Sequence, residues 1–186
     1  MKFSVAMCLY AGDSLENFKL AIHSVLVQTL QPNQIVVVVD GPVPNEYLAL
    51  LELITLKHRE VEVVKLPKNN GHGFARQVSL EHCRYDLVAL MDSDDVSLEN
   101  RFATQVEFMK SNPSISVLGG QIAEFDELGD RSRRLVPTKH SEIVERMKYR
   151  CPLNQMTVMF KKADVINAGG YLHWFNNEDY YLWVRM

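Results

Sequence analysis

The sequence lacks the features that mark membrane-spanning proteins, disulfide-rich domains and nucleic-acid-binding proteins. No apolar run approaches the roughly 20 residues of a membrane-spanning helix. Cys8, Cys83 and Cys151 are odd in number and far apart, which argues against a disulfide framework or a zinc site. The net charge is −3 and the basic residues are scattered, so we expect no nucleic acid as a partner. These absences predict a protein of a reducing cytoplasm.

Two common nucleotide-binding signatures are also missing. Gly71-His72-Gly73 begins like the dinucleotide fingerprint, but position 76 is Arg instead of the third glycine. No Gly-Lys-Ser or Gly-Lys-Thr sequence is present, so the chain has no P-loop. A dehydrogenase or an ATPase of these types is therefore disfavoured.

The first 110 residues alternate between strand patterns and helix patterns. We predict strands at residues 3–10, 34–39, 61–66 and 87–91, each followed by a helix, with Asp13 or Ser14 capping the first helix and Ser97 the fourth. The almost continuous β-branched run at 34–39 is typical of a parallel strand buried on both faces. The pattern predicts an α/β fold with a mostly parallel, Rossmann-like sheet flanked by helices.

The second part of the chain has a different pattern. A short strand at 115–118 precedes two hairpin arms, 121–125 and 133–136, around a turn at 127–130. A helix at 141–149, a strand at 156–160 and a helix at 163–168 follow. A last helix begins near Glu178 and is interrupted at Met186. We therefore expect a single domain over residues 1–186, with a small antiparallel hairpin added to the parallel sheet. We also expect the protein to continue beyond Met186.

Polar residues follow three of the predicted strands, at the edge where open parallel sheets bind ligands. The first strand ends at Tyr10-Ala11-Gly12, the second at Asp40 and the fourth at Asp92. Asp92-Ser93-Asp94-Asp95 places three carboxylates within four residues, and their repulsion favours a bound cation. Mg²⁺-like ions take one or two protein carboxylates and complete their shell with phosphate and water. The alternative is a solvated turn in which Asp95 or Ser97 caps the next helix.

Three other features have two interpretations each. Asp40 either accepts a hydrogen bond from a nucleotide or belongs to a simple Asp-Gly turn. The loop at 69–73 with Arg76 either binds phosphate or is a glycine turn with a surface arginine. The acidic pair Glu178-Asp179 is explained by spacing alone as a favourable first helical turn.

Taken in chain order, these motifs resemble the family 2 glycosyltransferases of GT-A fold, particularly those that build bacterial surface polysaccharides. The resemblance covers nearly the whole chain. The segments that carry it are Phe3-Ser4-Val5-Ala6-Met7, Ser24-Val25-Leu26-Val27-Gln28-Thr29, Val39-Asp40-Gly41-Pro42, Asn70-Gly71 with Ala75-Arg76, Asp92-Ser93-Asp94-Asp95, Thr157-Val158-Met159-Phe160, Gly169-Gly170-Tyr171 and Glu178-Asp179-Tyr180-Tyr181-Leu182-Trp183.

The resemblance implies a role for each of these positions. Asp40 would contact the nucleotide base, commonly uracil, and Asp92 the ribose. Asp94, with Asp92, would hold Mn²⁺ or Mg²⁺, and Asp179 would be the general base, which replaces the capping interpretation. The remaining positions expected to contact the donor are Leu9, Tyr10, Ala11, Asn70, Gly71, Arg76 and Ser93.

The implied reaction is inverting transfer of a sugar from a nucleoside-diphosphate-sugar to a hydroxyl of a glycan or lipid-linked acceptor, with an ordinary Asp pKa near 4 keeping the base ionised. Cys151-Pro152-Leu153-Asn154-Gln155 departs from the Asn-Pro-Phe-Asn-His of many relatives, and the Gln-Arg-Trp motif of processive synthases is absent, which favours addition of one sugar. Residues beyond Met186 would supply the acceptor site and any peripheral association with the inner face of the membrane.

Two other functions would share part of this sequence pattern. A sugar-1-phosphate nucleotidyltransferase would share the core and the metal but requires a glycine-rich loop with Arg and Lys after the first strand, and Leu9-Tyr10-Ala11-Gly12-Asp13 does not provide it. A non-catalytic nucleotide-sugar-binding domain would tolerate loss of Asp179, which is present here.

Overall fold

A six-stranded, mainly parallel sheet forms the centre of the computed structural model, which describes residues 1–126, 128–172, 174 and 177–186. Glu127 of the predicted turn and Asn176 before the last helix lie outside the described residues. The strands are β1 Phe3–Leu9, β2 Gln34–Val39, β3 Val61–Lys65, β4 Leu87–Met91, β5 Val117–Leu118, β6 Ile122–Asp126, β7 Gly129–Arg134 and β8 Met159–Lys161. The helices are α1 Leu15–Leu26, α2 Asn45–Lys57, α3 His72–His82, α4 Arg101–Ser111, α5 His140–Met147, α6 Lys162–Asn167 and α7 Glu178–Arg185.

In the strand order β3-β2-β1-β4-β8-β5, β2 and β3 are added on one side of β1 and β4 on the other, so the strand order reverses between β1 and β4. Strand β1 pairs in parallel with both neighbours, Leu9 aligning with Val39 of β2 and Met7 with Met91 of β4. The carboxyl ends of these three strands therefore lie at one edge. This register brings together the residues that follow them.

Each face of the sheet is covered by helices because every second residue of the central strands points to the same side. Phe3, Val5 and Met7 of β1 pack in one cluster with α1, α2 and α4. Ala6 and Cys8 of the same strand pack in a second cluster with α3, α6 and α7. Helix α3 therefore packs on the face of the sheet opposite α1.

The predicted α/β fold and the added hairpin are confirmed. Strands β6 and β7 form a separate antiparallel pair, and β8 joins the main sheet antiparallel to β4. No helix within the described ranges is long and apolar enough to cross a membrane.

The prediction that Ser97 or Asp95 caps the fourth helix is wrong, because α4 begins at Arg101 and Leu98 is 77% exposed. The side chain of Gln28 fixes where α4 begins. Its Nε2 donates to the carbonyl oxygen of Leu98 at 2.8 Å, and its Oε1 accepts from the backbone N–H of Phe102 at 3.2 Å. A side chain 74 residues away thus satisfies the first turn of α4.

The predicted strand at 156–160 is also shorter than expected. Residues Gln155–Thr157 form a 3₁₀ turn, and β8 begins only at Met159. The Thr157 hydroxyl donates to the carbonyl oxygen of Asn154 at 2.7 Å and accepts from the N–H of Gly120 at 2.8 Å. These local bonds hold the turn in place of an extended strand.

Candidate active site

A cavity of about 400 Å³ opens at the carboxyl edge of β1, β2 and β4. It lies next to the point where strand order reverses, the usual ligand position in open α/β sheets. Its walls come from the ends of these strands, the loop before α3, the first turns of α3 and the start of α7. The lining residues are Cys8, Leu9, Tyr10, Asp13, Asp40, Asn69, Gly71, His72, Ala75, Arg76, Asp92, Ser93, Asp94 and Glu178.

Asp40 holds the loop between β3 and α3 against the end of β2. Its Oδ1 accepts from the N–H of Asn70 at 2.8 Å and its Oδ2 from the N–H of Gly71 at 3.0 Å. Gly41 permits this approach, because it has φ +90° and a Cβ there would lie 2.5 Å from the backbone nitrogen of Asn69. The simple-turn interpretation is therefore incomplete, since Asp40 orders a wall of the cavity.

Arg76 is 1% exposed and forms an ion pair with Asp92 at the floor of the cavity. Its Nη1 also donates to the carbonyl oxygens of Ala6 at 3.3 Å and Met91 at 3.5 Å. The alternative interpretation of Arg76 as a surface arginine is therefore wrong. The guanidinium of Arg76 balances the charge of Asp92.

Asp94 is exposed at the cavity, whereas Asp95 turns inward and has a buried Oδ2 without a hydrogen-bond partner. Burial, with the neighbouring Asp92 and Asp94 carboxylates, raises the pKa of Asp95 to about 6. Acidic groups in this arrangement favour a cation. In the part of the chain that is described, no three His, Cys, Asp or Glu side chains form a metal-binding group. One or two carboxylates completed by phosphate oxygens suffice for a Mg²⁺-like ion, so the donor set fits such an ion.

Tyr10 and Asp13 form a tight turn at the end of β1. The N–H of Tyr10 donates to Asp13 Oδ2 at 2.9 Å, and the N–H of Asp13 donates to the carbonyl oxygen of Tyr10 at 3.1 Å. The Tyr10 ring lies over Gly12, where a Cβ would be 2.5 Å from ring atoms. Burial raises the pKa of Asp13. The turn presents a half-exposed aromatic ring at the cavity.

Asp179 lies in the first turn of α7, directly after the cavity-lining Glu178. Burial raises its pKa, so the ordinary value assumed from the sequence is corrected upward. The Cys151 thiol lies 3.9 Å from Asp179 Oδ2, which places the divergent segment 151–155 beside this carboxylate.

A model for Glycosyl transferase family 2 matches residues 4–169. The protein belongs to Glycosyl transferase family 2. It is 42% identical over 189 residues to an uncharacterized glycosyltransferase of Haemophilus influenzae, covering 100% of this chain and 69% of that one. It is also 38% identical to the amylovoran biosynthesis glycosyltransferase AmsE of Erwinia amylovora, covering 99% and 69%.

A third relative is the UDP-Gal:alpha-D-GlcNAc-diphosphoundecaprenol beta-1,3-galactosyltransferase of Escherichia coli, 33% identical over 99% of this chain and 67% of the relative. Among solved structures, S. aureus TarS 1-349 in complex with UDP superimposes with a TM-score of 0.74 at 21% identity, covering 100% of this chain and 55% of that one. The latter likeness supports the GT-A fold. The chain spans about half of that solved structure.

Most of the residues predicted to form the site line the cavity. Those that line it are Leu9, Tyr10, Asp40, Gly71, Arg76, Asp92, Ser93 and Asp94. Three described residues lie outside the lining: Ala11 is exposed, Asn70 contributes its N–H to Asp40, and Asp179 lies beside Cys151.

Sequence inspection missed Asp13, His72 and Glu178. The histidines show no ligand spacing, and His72 meets Glu178 only through folding, across 106 residues.

Proposed function

We propose that this protein is an inverting, metal-dependent glycosyltransferase that moves a sugar from a UDP-sugar to a hydroxyl of a glycan or lipid-linked acceptor. The observation that carries the proposal is the placement of Asp40, Asp92 and Asp94 around one cavity at the carboxyl edge of the sheet. Recognition of a base, recognition of a ribose and binding of phosphate need separate polar groups, and these three carboxylates are our candidates for those contacts.

The relatives support this choice of substrates. The names of two of them refer to amylovoran biosynthesis and to transfer from UDP-Gal onto a diphosphoundecaprenol-linked sugar. Solved relatives of similar fold are complexes with UDP and with UDP-GlcNAc. We infer synthesis of a bacterial surface polysaccharide as the pathway class, with the reaction at the inner face of the membrane.

On the donor side, Asp40 accepts from the base while it orders the loop at 69–71, and the Tyr10 ring offers a stacking face. Asp92 accepts from the ribose and is held by Arg76. Asp94 and Asp92 would hold Mn²⁺ or Mg²⁺, which when bound would neutralise the charge of the diphosphate leaving group. A solved mannosyltransferase of similar fold carries GDP-Man and Mn²⁺.

On the acceptor side, Asp179 takes the proton of the attacking hydroxyl. Burial raises its pKa, which makes its carboxylate a stronger base than that of an exposed Asp. A positioned base of this kind contributes about 10²–10⁴ in rate. Attack on the face opposite the leaving diphosphate inverts the anomeric carbon, so one carboxylate base suffices.

The donor site is tested by the melting temperature with UDP and Mn²⁺. We expect a rise in the wild type that depends on Mn²⁺, and loss of that dependence in Asp94→Ala. Glu107→Ala, which removes an exposed charge from α4, is the matched control and should behave as wild type. A Mn²⁺-dependent shift that survives in Asp94→Ala would refute the metal assignment.

The base is tested by transfer in the full-length protein. Asp179→Asn should keep UDP affinity within about twofold and lose about 10²-fold or more in turnover. Turnover at the wild-type rate in this variant would remove Asp179 from the mechanism.

A further inference from the structure

A continuous series of side-chain contacts links the start of α7 to the carboxylates that follow β4. Glu178 Oε1 lies 2.5 Å from His72 Nδ1, and Arg76 Nε donates to His72 Nε2 at 3.0 Å. Arg76 then pairs with Asp92. Since Glu178 directly precedes Asp179, the series runs from the helix of the proposed base to the donor side of the cavity.

These contacts assign one protonation state to His72. An arginine Nε can only donate, so His72 Nε2 must accept and carries no proton. The ring proton of the neutral imidazole is then on Nδ1 and is donated to Glu178. A proton on Nε2 would point at the N–H of the Arg76 guanidinium and prevent that hydrogen bond. The two ring nitrogens are therefore each fixed by a hydrogen bond, Nδ1 to Glu178 and Nε2 to Arg76.

The close approach of α3 and α7 is built into the backbone as well. Gly73 lies in the first turn of α3, and a Cβ there would be 3.2 Å from the Cβ of Glu178. Glu178 is only 6% exposed. Burial alone would raise its pKa, but the hydrogen bond from His72 lowers it, which keeps the carboxylate ionised in this contact.

We propose that His72 and Glu178 are positioning residues that hold the first turn of α7, and with it Asp179, in register with the donor-side carboxylates. The inference rests on the proposed role of Asp179 as the base. Neither residue needs to contact the donor for this role. Breaking the pair therefore lowers turnover while donor affinity is kept.

The experiment compares His72→Phe, Glu178→Ala and Glu178→Gln with the wild type in the full-length protein. The matched control is His82→Phe, which breaks a similar His–Glu contact, 3.0 Å from His82 Nδ1 to Glu62 Oε1, at the other end of α3. UDP affinity with Mn²⁺ is measured by calorimetry. Turnover is measured as UDP release at saturating UDP-galactose or UDP-N-acetylglucosamine, whichever the wild type uses faster.

We expect His72→Phe and Glu178→Ala to lose at least about tenfold in turnover with UDP affinity within about twofold of wild type. Glu178→Gln, whose amide oxygen still accepts from Nδ1–H, should recover most of the rate. The ring ¹⁵N resonances of His72, assigned by their loss in His72→Phe, should show the Nδ1–H tautomer.

Four results would overturn the inference. They are turnover in His72→Phe within twofold of wild type, UDP affinity falling in step with turnover, His72 protonated on Nε2, and equal losses in Glu178→Gln and Glu178→Ala. Asp179→Asn separates this inference from the proposed function. An active Asp179→Asn variant refutes the base, whereas an inactive one beside an unaffected His72→Phe refutes only the positioning role.

Discussion

Replacing Arg76 by methionine tests whether the buried ion pair with Asp92 holds the floor of the cavity. The guanidinium is 1% exposed and the Asp92 side chain 22% exposed. Removing one partner of a buried pair costs about 3–5 kcal/mol. Because Asp92 keeps some contact with water, we take the lower end and expect Arg76→Met to lose about 3 kcal/mol of unfolding free energy.

The magnitude can be checked by urea denaturation, with a melting-temperature fall of about 6–12 °C expected for a domain of this size. The double variant Arg76→Met/Asp92→Asn should be more stable than the sum of the single losses by about 1–3 kcal/mol, because removing both charges leaves neither unpaired. Arg131→Met is the control, since its pair with Asp126 is about half exposed and should contribute about 0–1 kcal/mol. A loss below about 1 kcal/mol in Arg76→Met, or additivity within about 0.5 kcal/mol, would refute the reasoning.

Four further predictions concern backbone space and pH. Gly41→Ala should destabilise the protein more than Gly71→Ala in urea denaturation, because both glycines have positive φ but only a Cβ at position 41 would clash with backbone, at 2.5 Å; equal losses would contradict this. Gly73→Ala should lower turnover more than UDP affinity, because it displaces Glu178. Turnover should fall as the pH decreases through the raised pKa of Asp179. Since a raised carboxyl pKa means that ionisation costs stability in the folded state, Asp179→Asn should melt higher than wild type at pH 7, and the difference should vanish below the unfolded-state pKa of about 3.9.

Strands with a strong local signal could be predicted from the sequence. Residues 35–39 and 87–91 are continuous apolar runs; β4 has the second set of bounds, and β2 adds only Gln34 before the first. The start of α4 could not be predicted, because the side chain of Gln28, which lies just after α1, satisfies its first turn. The antiparallel insertion of β8 beside β4 depends on long-range pairing that carries no local pattern.

Some residues of the candidate site could likewise be predicted from the local sequence, and others could not. Asp40 and Asp92 directly follow strands, so the rule for parallel sheets was enough to place them together. His72 and Glu178 come together only because α3 and α7 pack on the same face of the sheet. The burial of Arg76 could not be predicted, because the carbonyl oxygens and Asp92 that contact it are supplied by β1, the end of β4 and the residue after it.

The most direct test of the central claim is a crystal structure with UDP and Mn²⁺, with anomalous data collected at the manganese edge. We expect an anomalous peak within coordination distance of the Asp94 carboxylate, with the diphosphate beside it and the uracil facing Asp40. A peak elsewhere, or UDP bound outside the cavity at the ends of β1, β2 and β4, would contradict it.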